Sequence, residues 1–542
     1  MKHDSNMQRF LLAMLALALL VGLGCGKGKF NKTAENKADH QLVATIPTNL
    51  TKMDPAQVED GDSIEVLNQV FEGLVQYDEH NELVNNLASD WTVSGDGTTY
   101  TFKLKTGVKF HSGREMTAED VKYSWDRAAN KNVLSPTVEG YMADIVGFKD
   151  CWDGKTKSLS GVRVVDANTI EVKITSAKGY WPMYLQYPCY FVVDRDAAGM
   201  KPITSVKEMV GTGPYKMESY VENQQIDLVR FDDYHGGKPK LERVTRLIAK
   251  DAQTRRSLYE SGRADWVSLE RQDKTYVDEH ADLKEALTTV DRAAIWYVGF
   301  GLTQNEQLRD PRVRKAFAMA INKDRIIKEG FDGINVKANG IIPPSVPGFD
   351  SAYGGIAFDP AAAKKLFAEA GYPDGKGFKP LKMYFRADRA DPKIVSEMVA
   401  QDLEQNLGVK IELAPTEWKA LLEMRAKGEL PFFHLRWGAD YLDPQNFLTF
   451  MLHTNAKENS LGYSNKTFDQ LCEMADKLPL SQKDQRHTLY RQAQKIAVEE
   501  DAIWIPIYFQ RDLELVRPGV EGIRRSAMGP LPHTTADVVW NK

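Results

Sequence analysis

In its second half the chain sets Asp-Pro at the head of apolar-periodic segments. Asp310-Pro311 leads into Val313, Ala316, Phe317, Ala320 and Ile321. Asp359-Pro360 leads into Ala361 to Ala370, closed by Gly371 and Pro373. An aspartate there accepts from the open N–H groups of a first helical turn, and a proline at the first helical position sacrifices no hydrogen bond. A third helix is predicted from Lys393 to Leu407, with Ile394, Met398 and Val399 on one face and Gly408 as its stop. Leu381 to Phe385, the alternating Val409, Ile411 and Leu413, and Phe432 to Leu435 read as strands among these helices. Helices alternating with strands from Ala293 onward predict an α/β domain with a sheet of partly parallel strands.

The part before Ala293 is patterned differently. Gln41 to Ile46 reads as a first strand stopped by Pro47, and Met53-Asp54-Pro55 as a turn. Ser63 to Leu74 has helical spacing at Ile64, Leu67, Val70, Phe71 and Leu74. A β-rich block follows. Trp91 to Val93 and Thr99 to Leu104 flank Ser94-Gly95-Asp96-Gly97 as a hairpin. Thr117, with Asp120 three residues on, is a capping-box pattern for the next helix. Gly161 to Ile174 reads as two strands about Asp166-Ala167-Asn168. Gly211-Thr212-Gly213-Pro214-Tyr215 interrupts the pattern as a bend whose glycines permit unusual backbone angles, suited to a crossing between domains. Ile503 to Phe509 and the tail past Arg517 return to strand composition and are expected to rejoin the first domain.

At 542 residues the chain exceeds a single hydrophobic core, so two or three domains are expected. Met1 to Arg9 is basic at Lys2 and Arg9, Phe10 to Leu23 is apolar, and Gly24-Cys25 follows. That is the layout of a secretory signal, and the run is short of the roughly 20 residues a spanning helix needs. Losing residues 1–24 leaves the rest one unit more negative than the −5 of the whole chain, which gives no basic surface for nucleic acid. Residues 27–40 are rich in Lys, Asn and Glu and read as a tether. Beyond Cys25 there are Cys151, Cys189 and Cys472. An oxidising compartment allows one bridge, and Cys151 with Cys189 is favoured because Cys472 sits on a distant helix-like segment. No catalytic or metal-ligating motif stands out: H-E-x-x-H, Cys-x-x-Cys, Gly-x-Ser-x-Gly, the P-loop and the dinucleotide glycine fingerprint are all missing.

The most informative stretch for function is Phe432 to Phe450. It leaves an apolar run through Arg436, Trp437 and Gly438 to reach Asp440, then Tyr441 and an Asp443-Pro444 break. A carboxylate held among aromatic side chains is costly unless a positive group meets it. Either Asp440 pairs with an arginine of its own fold or caps a turn, or a ligand ammonium is the missing partner.

An ordered set of motifs bears on that choice. It comprises Met53-Asp54-Pro55; Val70-Phe71-Glu72-Gly73-Leu74; Leu87 to Trp91 with Asp96-Gly97; Thr99 to Leu104 and Gly107 to His111; and Thr117 to Val121 with Ser124-Trp125 and Arg127. It continues with Gly211 to Tyr215, Gly262 to Asp265, Asp310 to Arg314 with Ala320-Ile321, and Ala439-Asp440-Tyr441 with Asp443-Pro444. In this order, over nearly everything past residue 40, the chain resembles the family 5 extracellular solute-binding proteins of ABC importers, the oligopeptide- and dipeptide-binding group. The resemblance implies a periplasmic-binding-protein-like two-lobe α/β fold of type II with an extra β-rich domain, the lobes joined by two crossing strands. The implied divisions are a signal peptide at 1–24 and a tether at 25–40. Residues 41–60, 204–291 and 506–542 form a discontinuous lobe 1 core, 61–203 the extra domain, and 292–505 the α/β lobe 2.

The resemblance further implies a protein that captures peptides in an inter-lobe cleft and hands them to membrane permease subunits, as a monomer without cofactor, metal or catalytic residues. Relatives with the same fold take a nickel chelate, oligosaccharide, opine or haem instead. In peptide-binding members the Asp of W-x-A-D-Y holds the ligand α-ammonium; Asp440 matches it, with Trp437, Ala439 and Tyr441 around it. Arg425 and His434 match positions that meet the ligand carboxylate, and Asn49 falls where those members carry an acidic residue. Gly24-Cys25 resembles a lipobox, with Gly22 where that motif prefers Leu. Lipid on Cys25 would place the protein in the periplasm or on the outer face of the cytoplasmic membrane.

Overall fold

A computed structural model describes residues 40–387, 389–530 and 535–540. The signal, Cys25 and all but the last residue of the tether lie outside the described residues. Among those described, no helix is long and apolar enough to cross a membrane.

One sheet runs through both lobes. Its path is Ile411–Thr416, Leu381–Arg386, Phe432–Gly438, Leu287–Phe300, Trp504–Val516, Trp266–Leu269, Gln41–Ile46, Arg243–Ile248, Gln225–Arg230 and Tyr215–Val221, with Val336–Lys337 added beside Trp504–Val516. Leu381–Arg386 pairs in parallel with Ile411–Thr416 and with Phe432–Gly438, whereas Phe432–Gly438 meets Leu287–Phe300 antiparallel. The lobes are joined by the two long strands of 14 and 13 residues, Leu287–Phe300 and Trp504–Val516. Leu287 to Asp291 pair with Leu515 to Arg511, and Ile295 to Gly299 pair with Phe509 to Trp504. The register shift between Asp291 and Ile295, where a bulge bends and twists a strand pair, separates residues of two cores: Ala293 and Ile295 to Val298 pack with Trp504, Ile505 and Ile507 to Phe509, and Leu513 and Leu515 pack with Val267 and Leu283.

The local signals act as their chemistry requires. Asp310 accepts from the Arg312 N–H and Asp359 from the Ala362 N–H, each at 2.9 Å, and Gly408 closes Ala390–Leu407 at φ 71°. Asp120 reaches back to the Thr117 N–H at 2.9 Å. The hairpin residues form part of a four-stranded antiparallel sheet, Ala88–Val93, Thr99–Leu104, Thr169–Lys173 and Val162–Asp166, over a core that includes Trp125, Trp181 and Tyr190.

Three expectations change. The helix predicted over Ser63 to Leu74 runs Gly61–Leu67 and stops. Its continuation is pre-empted because the carbonyls of Gln69 and Val70 accept from Tyr215 and Gly213, both at 3.0 Å. The glycines of the 211–215 bend serve close approach rather than unusual angles, since neither Gly211 nor Gly213 has positive φ. A Cβ on Gly211 would lie 2.0 Å from the Val70 carbonyl oxygen, and one on Gly213 2.6 Å from that of Gln69. Gly211→Ala is therefore expected to destabilise the protein by about 1–3 kcal/mol in denaturant titration, and an unchanged midpoint would refute this account. Finally, the Cys151–Cys189 bridge is not formed. Both are free thiols buried in the core of the β-rich domain, where they pack as small hydrophobes.

Candidate ligand-binding site

Where Phe432–Gly438 runs out of sheet partners, the chain turns through Ala439 to Asn446, and each step of the turn is tied. Trp437 Nε1 donates to the Asn446 backbone oxygen at 3.0 Å and to its side-chain oxygen at 3.1 Å; the same side-chain oxygen accepts from the Asp440 N–H at 3.1 Å. Asp443 caps Gln445 at 2.8 Å and is held bidentately by buried Arg486, one of the two contacts being 2.7 Å. The Tyr441 ring is buried among aromatics of the β-rich domain, 6.2 Å from Tyr180 and 5.0 Å from Tyr184. The Leu442 N–H donates to the Tyr77 hydroxyl at 2.9 Å, and Gln186 Nε2 donates to the Asp440 carbonyl at 2.7 Å. The turn thus packs against the core beneath the four-stranded antiparallel sheet.

Beside it lies a cavity of about 530 Å³ that both lobes line. Asp440 keeps part of its surface open to it. Burial pushes the Asp440 carboxyl up to about 6; hydrogen bonds from Tyr141 and Asn446 oppose this, Glu458 adds to it, and the pull of Arg436 is the smallest influence. Asp440 makes no ion pair among the described residues. Across the cavity Glu65 pairs with Arg246 at 2.6 Å, Asp391 with Arg271 at 3.4 Å and Asp512 with Arg292 at 3.5 Å. Burial is the main cause raising the carboxyls of Asp62, Glu65 and Asp391. Glu65, Asp391 and Asp512 are thus paired within the fold; Asp440, like Asp62 and Glu59 on the same wall, has no ion pair among the described residues.

The other expected site residues divide. Ala439 lines the cavity with Asp440. Trp437 and Tyr441 lie off its wall and act on the turn, Trp437 with its ring 5.7 Å from Phe450. Arg425 is away from the cavity, paired with Glu458 at 2.8 Å. His434 is fully buried behind the wall, its ring 5.3 Å from Trp296 and 6.4 Å from Tyr508, and burial drives its pKa down to about 3. Asn49 exchanges hydrogen bonds of 3.1 and 2.7 Å with Asn223, outside the cavity. The placement expected for Arg425, His434 and Asn49 at the ligand is therefore corrected: two have partners within the fold, and the third is an uncharged ring in the core. What sequence reasoning passed over is the wall itself, chiefly Arg292, Arg436, Asp62 and the Glu65–Arg246 pair. Only Arg436 had a sequence signal, its alternation with Gly438 along one strand.

Residues 82–459 match the family described as bacterial extracellular solute-binding proteins, family 5 Middle. Heme-binding protein A of Haemophilus influenzae is 29% identical over 95% of this chain and 96% of its own length. The dipeptide-binding protein DppE of Bacillus subtilis is 27% identical over 96% of this chain and 98% of its own. Among solved structures, the murein tripeptide binding protein MppA of Escherichia coli superposes with a TM-score of 0.78 at 25% identity, covering 93% of this chain and 99% of that one.

Proposed function

Because the chain belongs to the family 5 bacterial extracellular solute-binding proteins, we propose that it is the substrate-binding component of an ABC importer that captures peptides between its lobes and delivers them to a membrane permease. The observation that carries the reading is that Asp440 lines the inter-lobe cavity and its carboxylate has no internal cation paired to it among the described residues. A peptide α-ammonium supplies the missing charge. In a site of low effective dielectric that charge-assisted hydrogen bond is stronger than one at the surface. Relatives named for a dipeptide and a murein tripeptide support a peptide cargo. Lobe closure about the crossing strands encloses the ligand, and Asp440 and Ala439 contact it while Trp437 and Tyr441 hold their turn in place. The division into 41–60, 204–291 and 506–542, then 61–203, then 292–505 belongs to this reading, as do export and lipid attachment at Cys25. The protein acts by binding and release, as a monomer, without catalysis.

Haem is the second reading, since one relative carries haem in its name. Among the described residues the cavity wall offers an iron neither His nor Cys. Native mass spectrometry of protein purified without unfolding tests both. A set of bound peptides, sequenced after release, is the expected result. A haem mass with a Soret band, or a sugar or metal chelate, overturns the peptide reading.

A further inference from the structure

Between Asp291 and Ile295 the crossing strands lose their pairing, and Arg292 to Ala294 stand opposite Gln510 alone. Backbone groups freed by such a bulge still need partners. Those of Ala293 find them in two segments far away in the sequence. Its N–H donates to the Ala527 carbonyl at 2.9 Å, and its own carbonyl accepts from the Ala439 N–H at 2.7 Å. Ala527 in turn donates its N–H to the Asn81 side-chain oxygen at 2.8 Å. Three hydrogen bonds thus run in series from Asn81 through Ala527 and Ala293 to Ala439, the residue before Asp440. Ala293, Ala439, Asp440 and Ala527 line the cavity, and Asn81 lies off its wall.

The first two members of the series are themselves held. Asn81 sits at φ 64°, a left-handed conformation that asparagine tolerates, in the turn between Val75–Tyr77 and Leu83–Asn85. Asp78 ties that turn, accepting from the His80 and Glu82 N–H groups at 2.9 Å each. Ala527 is buried in the turn between Arg525–Ser526 and Gly529–Pro530, and Arg292 Nη2 donates to the neighbouring Met528 carbonyl at 3.0 Å. Resting on the peptide reading, we propose that Asn81 is a positioning residue for ligand capture. Through the 525–530 hairpin it holds the bulge of the crossing strands, and with it the turn that carries Asp440, in the shape that receives the ligand. A site already held in that shape binds more tightly, because less ordering remains to be done on binding. Hydrogen bonds in series also strengthen one another. Asn81 touches no ligand; it acts through Ala527 and Ala293.

The wild type is screened by native mass spectrometry against a library of di- to pentapeptides built from Ala, Gln, Glu and Lys. The best-retained peptide is then titrated calorimetrically into wild type, Asn81→Gly and Asn81→Asp, at a temperature where all three are folded. Asn81→Gly removes the acceptor and keeps the backbone angle; Asn81→Asp restores an acceptor. Asn81→Gly is expected to weaken binding at least about fivefold, the lower end of what an orphaned buried N–H costs, and Asn81→Asp to bind within about twofold of wild type. Unchanged binding by Asn81→Gly, or equal losses in the two variants, overturns the proposal and leaves the peptide reading intact, because the wild type still binds. Hydrogen exchange of the wild type supplies a second readout. The peptide is expected to slow exchange of the Ala293 and Ala527 amides more than that of Val298, in the paired part of the same crossing strand as Ala293. No such excess overturns the proposal, including where Asn81→Gly fails to fold. A wild type that retains no peptide overturns the peptide reading and this inference with it.

Discussion

Asp440→Ala weakens peptide binding at least about tenfold in calorimetric titration and leaves the protein folded. Truncating one partner of a buried, hydrogen-bonded charge pair typically costs about 3–5 kcal/mol, much of it from stranding the other charge. Here the stranded charge would be the ligand ammonium. The fold itself loses little, because the Asn446, Trp437 and Arg486 bonds and the Tyr441 ring still hold the turn when the carboxylate's own hydrogen bonds to Tyr141 and Asn446 are lost.

The pH dependence follows from the same group. The unliganded carboxyl titrates at about 6, above its ordinary 3.8. The folded protein therefore takes up a proton between these values more readily than the unfolded chain, and the contribution of Asp440 to stability declines as pH rises through that window. Binding an ammonium requires the ionised form. Affinity is then full above about 6 and falls up to about tenfold per pH unit as pH drops below it. Asp440→Asn should flatten that profile. An unchanged isotherm for Asp440→Ala, or a flat wild-type profile between pH about 6 and 4, would show that the carboxylate does not meet the ligand charge.

The second large effect concerns stability. Asp54 and Arg127 form a pair whose side chains are 0% and 1% exposed, joined at 3.0 and 2.6 Å. Asp54 also accepts from the Ile203 N–H at 2.8 Å, and Arg127 Nε donates to the Gly199 carbonyl at 2.8 Å. Together they pin the first turn, the helix Ala118–Ala128 and the segment leaving the β-rich domain. Asp54→Ala leaves a buried guanidinium without its counter-charge, a loss of about 3–5 kcal/mol in chemical denaturation. The double change Asp54→Asn with Arg127→Met removes both charges and should be milder than Asp54→Ala alone. A double variant as unstable as the sum of its single changes would mean that the pair has no coupling of its own.

Much of the frame was legible in the order of residues. Asp310-Pro311 and Asp359-Pro360 begin helices because the aspartate oxygen and the proline ring act within one turn of themselves. Gly408 ends a helix by its own positive φ. The family motifs located the turn that carries Asp440 for a related reason, since the tryptophan, asparagine and aspartate that shape it lie within ten positions.

What the order of residues did not settle was which charges are already answered. Arg425 faces Glu458, His434 is a neutral ring between Trp296 and Tyr508, and the Gly211 bend is dictated by carbonyls of a helix end far upstream. Arg436 lines the cavity with Asp440, its charge offset in part by Asp512. Caps, turns and periodicity are short-range and can be read from neighbours. Whether a buried charge has a counter-ion depends on contacts between segments distant in the chain, and only the tertiary structure brings those together.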